Sequence, residues 1–126
     1  MVRDEAFLNS ITEQIIGCAY RVANTLGPGF LEKVYENALY HEVKKSGLIV
    51  ERQHPINVFY DGVIVGEFFA DLLVEKEVIV ELKAVKALDA SHFAQGMNYL
   101  KGTGKKICLL INFGSEKVEI RRIVNF

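Results

Sequence analysis

At 126 residues and 14.2 kDa the chain suffices for one domain spanning residues 1–126, since a second core would ask for roughly another 50–100 residues. Half of the residues are hydrophobic and a quarter are charged, with 2 Pro and 10 Gly, which excludes disordered, collagen-like and low-complexity chains. The net charge of −1 divides unevenly: residues 1–82 carry 7 Lys+Arg against 13 Asp+Glu, and residues 83–126 carry 8 against 3. An acidic half beside a basic half is compatible with a cation-binding cluster next to an anion-binding surface. On charge alone, ordinary uneven surface charge is the simpler reading. No apolar run approaches the ~18 residues of a membrane span. The opening Met1-Val2-Arg3-Asp4-Glu5 turns acidic and amphipathic at once, so no secretory segment is expected. Cys18 and Cys108 sit in apolar runs without metal-ligand spacing, as two buried thiols in a reducing cytoplasm would.

The first periodic segment runs from about Asp4 to Leu26, with Leu8, Ile11, Ile15, Cys18 or Ala19, Val22 and Leu26 forming one apolar helical stripe. Ser10 and Glu13 have capping-box spacing, which offers Ser10 as an alternative start. Gly27-Pro28-Gly29 ends that helix, and a second is expected from about Phe30 to Lys45, stopped by Gly47. Pro55–Tyr60 reads as a strand leading into the hairpin signal Asp61-Gly62. Val63–Val74 follows as a long strand, turned at Glu75-Lys76. Val78–Lys83 is nearly continuous in β-branched residues, the pattern of a strand covered on both faces. Asp89 or Ser91 can cap a helix from about Ser91 to Lys101, closed by Gly102-Thr103-Gly104. Strands over Lys106–Phe113 and Val118–Val124 complete the order α-α-β-β-β-α-β-β. The strand-helix-strand step from Val78 to Phe113 asks for a parallel crossover, so the expected fold is α/β, a mixed sheet flanked by helices.

Three charged residues interrupt the apolar strands. Asp71 follows Phe68-Phe69-Ala70, and Glu81 and Lys83 fall on one side of the third strand. A buried charge is costly unless it is paired or bound to a metal. Two carboxylates and a lysine on adjacent strands make a kit for a hard cation such as Mg²⁺ and a water nucleophile. The plainer alternative is a Glu81–Lys83 ion pair at a strand end with Asp71 in solvent. Register separates the two. A two-residue loop at Glu75-Lys76 sets Asp71 opposite Val80 and sends Asp71 and Glu81 to opposite faces, whereas a three-residue loop or bulge sets Asp71 opposite Glu81.

Two helices add candidates. Stepping ~100° per residue from Leu31, Val34, Tyr35, Ala38, Leu39 and Val43 form the buried arc of the second helix, and Glu32 falls inside it. Glu32 is therefore a candidate third metal ligand, or simply an acid favoured at a helix N-terminus. Glu42 also falls in the arc but lies near the helix end, within easier reach of water. In the third helix Ala90, Phe93, Ala94, Met97 and Leu100 share a face, leaving Gln95 and Tyr99 together on the other side to line a groove or simply to meet solvent. His41, His54 and His92 have no ligand spacing.

Asp71, then Glu81-Leu82-Lys83, then Gln95-Gly96-Met97-Asn98-Tyr99 resembles the PD-(D/E)xK nuclease superfamily, in the branch with a Q-x-x-x-Y helix. Gly29-Phe30-Leu31-Glu32-Lys33-Val34-Tyr35 is similar to the signature of the small bacterial GxxExxY family within it. The resemblance extends from the first helix to Asn112-Phe113-Gly114, with Ala70 where a proline often precedes the aspartate. It implies a restriction-endonuclease-like core and Mg²⁺- or Mn²⁺-dependent hydrolysis of phosphodiester bonds in DNA or RNA. It further implies that Glu32, Asp71, Glu81 and the carbonyl of Leu82 bind the metal, that Lys83 positions the water, and that Gln95 and Tyr99 orient Lys83 or the phosphate. The basic residues Lys83, Lys86, Lys101, Lys105, Lys106, Arg121 and Arg122 would meet the nucleic-acid backbone. A homodimer is expected if both strands of a duplex are cut. The alternative is a catalytically inactive nucleic-acid- or protein-binding module on the same fold.

Overall fold

A five-stranded mixed sheet in the order β1-β2-β3-β4-β5 organises the computed structural model, which describes residues 5–126. The elements are α1 (Glu5–Leu26), α2 (Glu32–Lys45), β1 (Val50–Tyr60), β2 (Val63–Val74), β3 (Val78–Lys83), α3 (Ala90–Thr103), β4 (Ile107–Asn112) and β5 (Glu119–Val124). Their order is the expected one, and a helical start at Asp4 lies outside the described residues. β3 and β4 pair in parallel across the α3 crossover, while every other neighbouring pair is antiparallel.

Two cores enclose the sheet. On one face Leu8, Ile11, Ile15 and Cys18 of α1 and Tyr35, Leu39 and Val43 of α2 pack on Leu72, Val80, Leu82 and Leu109. On the other, Tyr99 and Leu100 of α3 pack on Ala70, Leu73, Ile79, Cys108 and Leu110. β3 and β4 are thus covered on both sides, which explains their unbroken apolar runs. Cys18 and Cys108 are both buried free thiols, one in each core.

Some local expectations shift. β1 begins at Val50 instead of Pro55, because Val50, Glu51 and Arg52 pair with Val74, Leu73 and Leu72. That stretch has no apolar alternation to advertise it. Arg52 earns its place by tertiary contact, stacking 3.8 Å from the centre of the Tyr40 ring and donating to Asn37 Oδ1 at 3.1 Å. The apolar stripe of α3 is also rotated from the expected one: Gly96, Tyr99 and Leu100 are buried, whereas Phe93 and Ala94 are exposed. Gly96 permits the close approach, since a Cβ there would lie 2.6 Å from Ile123 Cδ1. Asp89 caps α3 with a reciprocal His92 bond, and Gly104 closes it at φ 74°.

Candidate functional site

The β2–β3 connection decides the geometry. Val74 pairs with Val78, Leu73 with Ile79 and Leu72 with Val80, so the loop holds three residues, Glu75, Lys76 and Glu77. Glu75 and Lys76 both adopt left-handed backbone, at φ 51° and 59°. One step further in this register brings Asp71 across from Glu81. There the ladder lapses and the two carboxylates take over its bonds. The Asp71 amide donates to Glu81 Oε1 at 3.1 Å, and the Leu82 amide donates to Asp71 Oδ2 at 2.8 Å.

The side-chain alternation of β2 slips at the same place. Ala70 and Leu73 face α3, whereas Leu72 and Val74 face α1 and α2, so Asp71 sits at the change of phase. Its neighbour across the β1 edge, Gln53, is likewise skipped in the pairing and has φ 48°. The irregularity at the pair of strands is what allows a carboxylate from β2 and one from β3 to meet.

Around the pair stand further charges. Glu81 is buried, and Lys83, two residues on, is half-buried and has no ion-pair partner within 4.0 Å among the described residues. Burial and the field of Asp71 push the Glu81 carboxyl up to about 8. Asp71 is raised as well, first by burial, against the lowering bonds from Leu82 and Gln53. Glu32, in the first turn of α2, is raised by desolvation and by Asp71, and lowered by Lys83. These carboxylates therefore share one field, with Lys83 the cation common to all three.

Glu32 is not in the buried stripe of α2. It is exposed and without a hydrogen bond among the described residues, while Glu36, one turn on, is buried at 3% exposure. The arc is rotated toward Glu36 because Glu36 is satisfied there: Lys33 Nζ lies 2.9 Å from its Oε2, and Gln53 Nε2 donates to its Oε1 at 2.9 Å. The Gln53 amide also reaches Asp71 Oδ1 at 3.3 Å, tying α2 to β2. Sequence reasoning missed both Glu36 and Gln53. Glu36 had no periodicity to mark it, and Gln53 lies in a polar stretch that reads as a loop. Glu42, by contrast, pairs with Arg21 and Lys45 away from the site.

The tyrosine of the Gly29…Glu32…Tyr35 stretch is an anchor. Its hydroxyl donates to the Gly27 carbonyl at 2.6 Å and accepts from the Phe30 amide at 3.2 Å, and its ring stacks on Phe113 at 4.7 Å. Gly29 supplies the turn at φ 112°. Together they deliver the first turn of α2, and Glu32 with it, to the end of β3. Asn112 performs a similar service beyond Lys83. It is fully buried and brackets Val85, accepting from its amide at 3.0 Å and donating to its carbonyl at 2.9 Å.

Tyr99 lies on the α3 side of the carboxylates at 6% exposure, and burial with the fields of Glu81 and Asp71 pushes its phenol up to about 12. Gln95, one turn earlier, lines the same cleft between α3 and the β1–β2 hairpin but makes no side-chain hydrogen bond to a described residue. Leu82 enters through its amide. The basic residues do not gather on one face: Arg121 and Arg122 are adjacent on β5 and point to opposite sides, and Arg122 is held by Asn9 of α1. Among the described residues no three His, Cys, Asp or Glu side chains already converge as a metal-holding group.

A sequence profile described as the PD-(D/E)XK nuclease superfamily matches residues 9–123. The chain belongs to that superfamily. Among solved structures it is similar to an alkaline exonuclease (LHK-Exo) from Laribacter hongkongensis, at 14% identity and a TM-score of 0.56, over 100% of this chain and 73% of that one. That likeness is one of fold: the α/β, restriction-endonuclease-like core with its mixed sheet flanked by helices. No curated protein matches the chain. In this superfamily member no described helix is long and apolar enough to cross a membrane.

The donor set fits a divalent cation chemically. Asp71, Glu81 and Glu32 offer hard carboxylate oxygens that repel one another when ionised, and the charge that would relieve them is a cation. Among the described residues Glu81 Oε2 receives no hydrogen bond and Glu32 has no ion-pair partner.

Proposed function

We propose that the chain is a nuclease hydrolysing phosphodiester bonds of DNA or RNA with Mg²⁺ or Mn²⁺, from the GxxExxY group of the superfamily. The observation that carries the reading is the Asp71–Glu81 pair joined through backbone amides at a lapse in the sheet, beside a Lys83 with no ion-pair partner among the described residues. A structural salt bridge would have joined Lys83 to a carboxylate. Here the lysine is left over and the acids hold one another apart from it.

In this reading Glu32, Asp71, Glu81 and the Leu82 carbonyl hold the cation. When bound, it supplies a Lewis acid for a phosphate oxygen. Lys83 orients the attacking water and meets the charge that develops on the phosphorane. Tyr99 remains protonated at neutral pH, since burial and the neighbouring acids push its phenol up to about 12, so it acts as a hydrogen-bond donor to the phosphate or to Lys83's water. Gln95, at the cleft wall, orients the same phosphate. Gln53 and Glu36 are positioning residues that fix Asp71 from behind.

The test is calorimetric Mn²⁺ and Mg²⁺ binding beside cleavage of labelled single- and double-stranded DNA and RNA. Wild type is compared with Asp71→Ala and Lys83→Ala. Ion binding is expected to vanish in the first and survive in the second, with cleavage falling about 10²–10³-fold in both. Wild-type protein that binds neither ion at millimolar concentration, with or without oligonucleotide, overturns the reading in favour of a binding module.

A further inference from the structure

The β1–β2 hairpin outgrows the helices meant to cover it. Beyond Ile56 and Ala70, which are buried, its distal half carries Phe59 at 60% exposure, Tyr60 at 75%, Val63 at 62%, Val65 at 61% and Phe69 at 55%. The aromatic rings alone, Phe68 included, leave roughly 450 Å² in water, taking ~200 Å² per ring. With Val63, Ile64 and Val65 the total approaches the ~800 Å² per partner of a standard interface, divided between the two faces of the hairpin because consecutive strand residues alternate. Exposed apolar surface gathered at one end of a molecule marks an interaction site, and here it lies on both faces of the arm.

Against this arm lies an apolar cleft of about 760 Å³ between the hairpin and α3, lined by Val58, Phe59, Val65, Phe68, Ala94 and Lys101 among others. Charge distinguishes the two surfaces. From Gln53 to Glu75 the chain has no Lys or Arg, and the distal arm carries Asp61 at its tip and Glu67. The wall of the cleft reverses this: α3 has no Asp or Glu, and Lys101 lines it, with Lys105 just beyond. An acidic, apolar arm does not suit a phosphate backbone. It does suit an apolar cleft with a basic rim, and this chain supplies one.

We infer that two copies of this chain pair about a two-fold axis, each inserting the tip of its β1–β2 hairpin into the partner's cleft between hairpin and α3. Arm and cleft are then the same patch on both subunits, as a closed dimer requires. The cleft would enclose the arm by its faces and not by its edge. Edge pairing of β1 is blocked by Pro55, which offers no amide in the middle of that edge strand. The cleft includes Gln95 and Tyr99, so the partner's arm would wall one side of the candidate active site.

Sedimentation equilibrium on the full chain tests this without reference to nuclease activity, so its failure and that of the proposed function are separable. Wild type is expected at twice 14.2 kDa at micromolar concentration. Phe59→Glu on the arm is expected to raise the dimer dissociation constant at least 100-fold, and Lys101→Glu on the rim about tenfold. Both side chains are exposed, and unchanged far-UV circular dichroism with cooperative melting verifies the fold. A wild type that is monomeric at 100 µM refutes the inference, as does a dimer indifferent to both substitutions. Loss of oligonucleotide affinity in Phe59→Glu with no change in mass would instead make nucleic acid the occupant and equally refute it.

Discussion

Replacing Glu81 by Gln isolates the electrostatic cost of the candidate site. The amide keeps a carbonyl oxygen for the Asp71 N–H and the same shape, but it cannot ionise. Glu81 is raised from its ordinary 4.5 to about 8, chiefly by burial and then by Asp71. Below pH 4.5 the carboxyl is protonated in both folded and unfolded chains and costs nothing. Between there and about 8 the unfolded chain releases the proton and the folded one retains it, so stability falls as pH rises. At about 1.4 kcal/mol per unit the ceiling is about 4 kcal/mol at pH 7.5. Readjustment of Lys83 and solvent lowers this, and we expect about 2 kcal/mol. For a domain of this size that corresponds to about 8 °C in Tm. Thermal melts of wild type and Glu81→Gln in metal-free buffer should coincide near pH 5 and diverge by pH 8, with the variant the more stable. Saturating Mg²⁺ should then raise the wild type alone. A difference independent of pH, or a variant less stable at pH 8, would refute the argument that burial of this carboxylate opposes folding.

Two further substitutions probe the scaffold that presents the site. At Gly114→Ala the new Cβ would lie 2.4 Å from the Val85 amide nitrogen, which donates to Asn112 Oδ1, and 2.5 Å from the Ala84 carbonyl carbon in the same backbone stretch. We expect a loss of about 3 kcal/mol, seen as a fall of 1 M or more in the urea midpoint. A shift under roughly 0.3 M would show that this loop yields freely. Tyr35→Phe keeps the stack on Phe113 but strips the Gly27 carbonyl and the Phe30 amide of their partner. A loss of about 1–3 kcal/mol is expected in denaturant titrations. Retention of full stability would mean that the Gly27–Phe30 turn is held by other contacts.

Much of the architecture was legible in the chain because its signals are local. Gly27, Gly29, Gly47, Gly62 and Gly104 all occupy positive-φ backbone, and each lies in a turn where the sequence places a break between elements. The apolar run of Val78–Leu82 marked a strand buried on both faces, and it is one. The candidate residues Asp71, Glu81 and Lys83 stood out because charge in such strands demands a reason. Lapses in regularity were harder to read. The stripe of α3 turned toward Tyr99 because Gly96 lets that side approach β5, a contact invisible in hydropathy alone.

What the sequence determined by itself was therefore the element order, the parallel crossover and the identity of the principal charged residues, all consequences of periodicity and turn chemistry. Only the tertiary structure decided which of them meet. Register chose the three-residue loop that sets Asp71 against Glu81, and a shared break in β1 and β2 brought Gln53 in behind it. It also exchanged Glu32 for Glu36 in the buried face of α2, because Lys33 and Gln53 were there to satisfy the deeper carboxylate. A local pattern can show that a charge is out of place. The partner that makes it tolerable comes from elsewhere in the chain, and its position follows only when the strands have found their register.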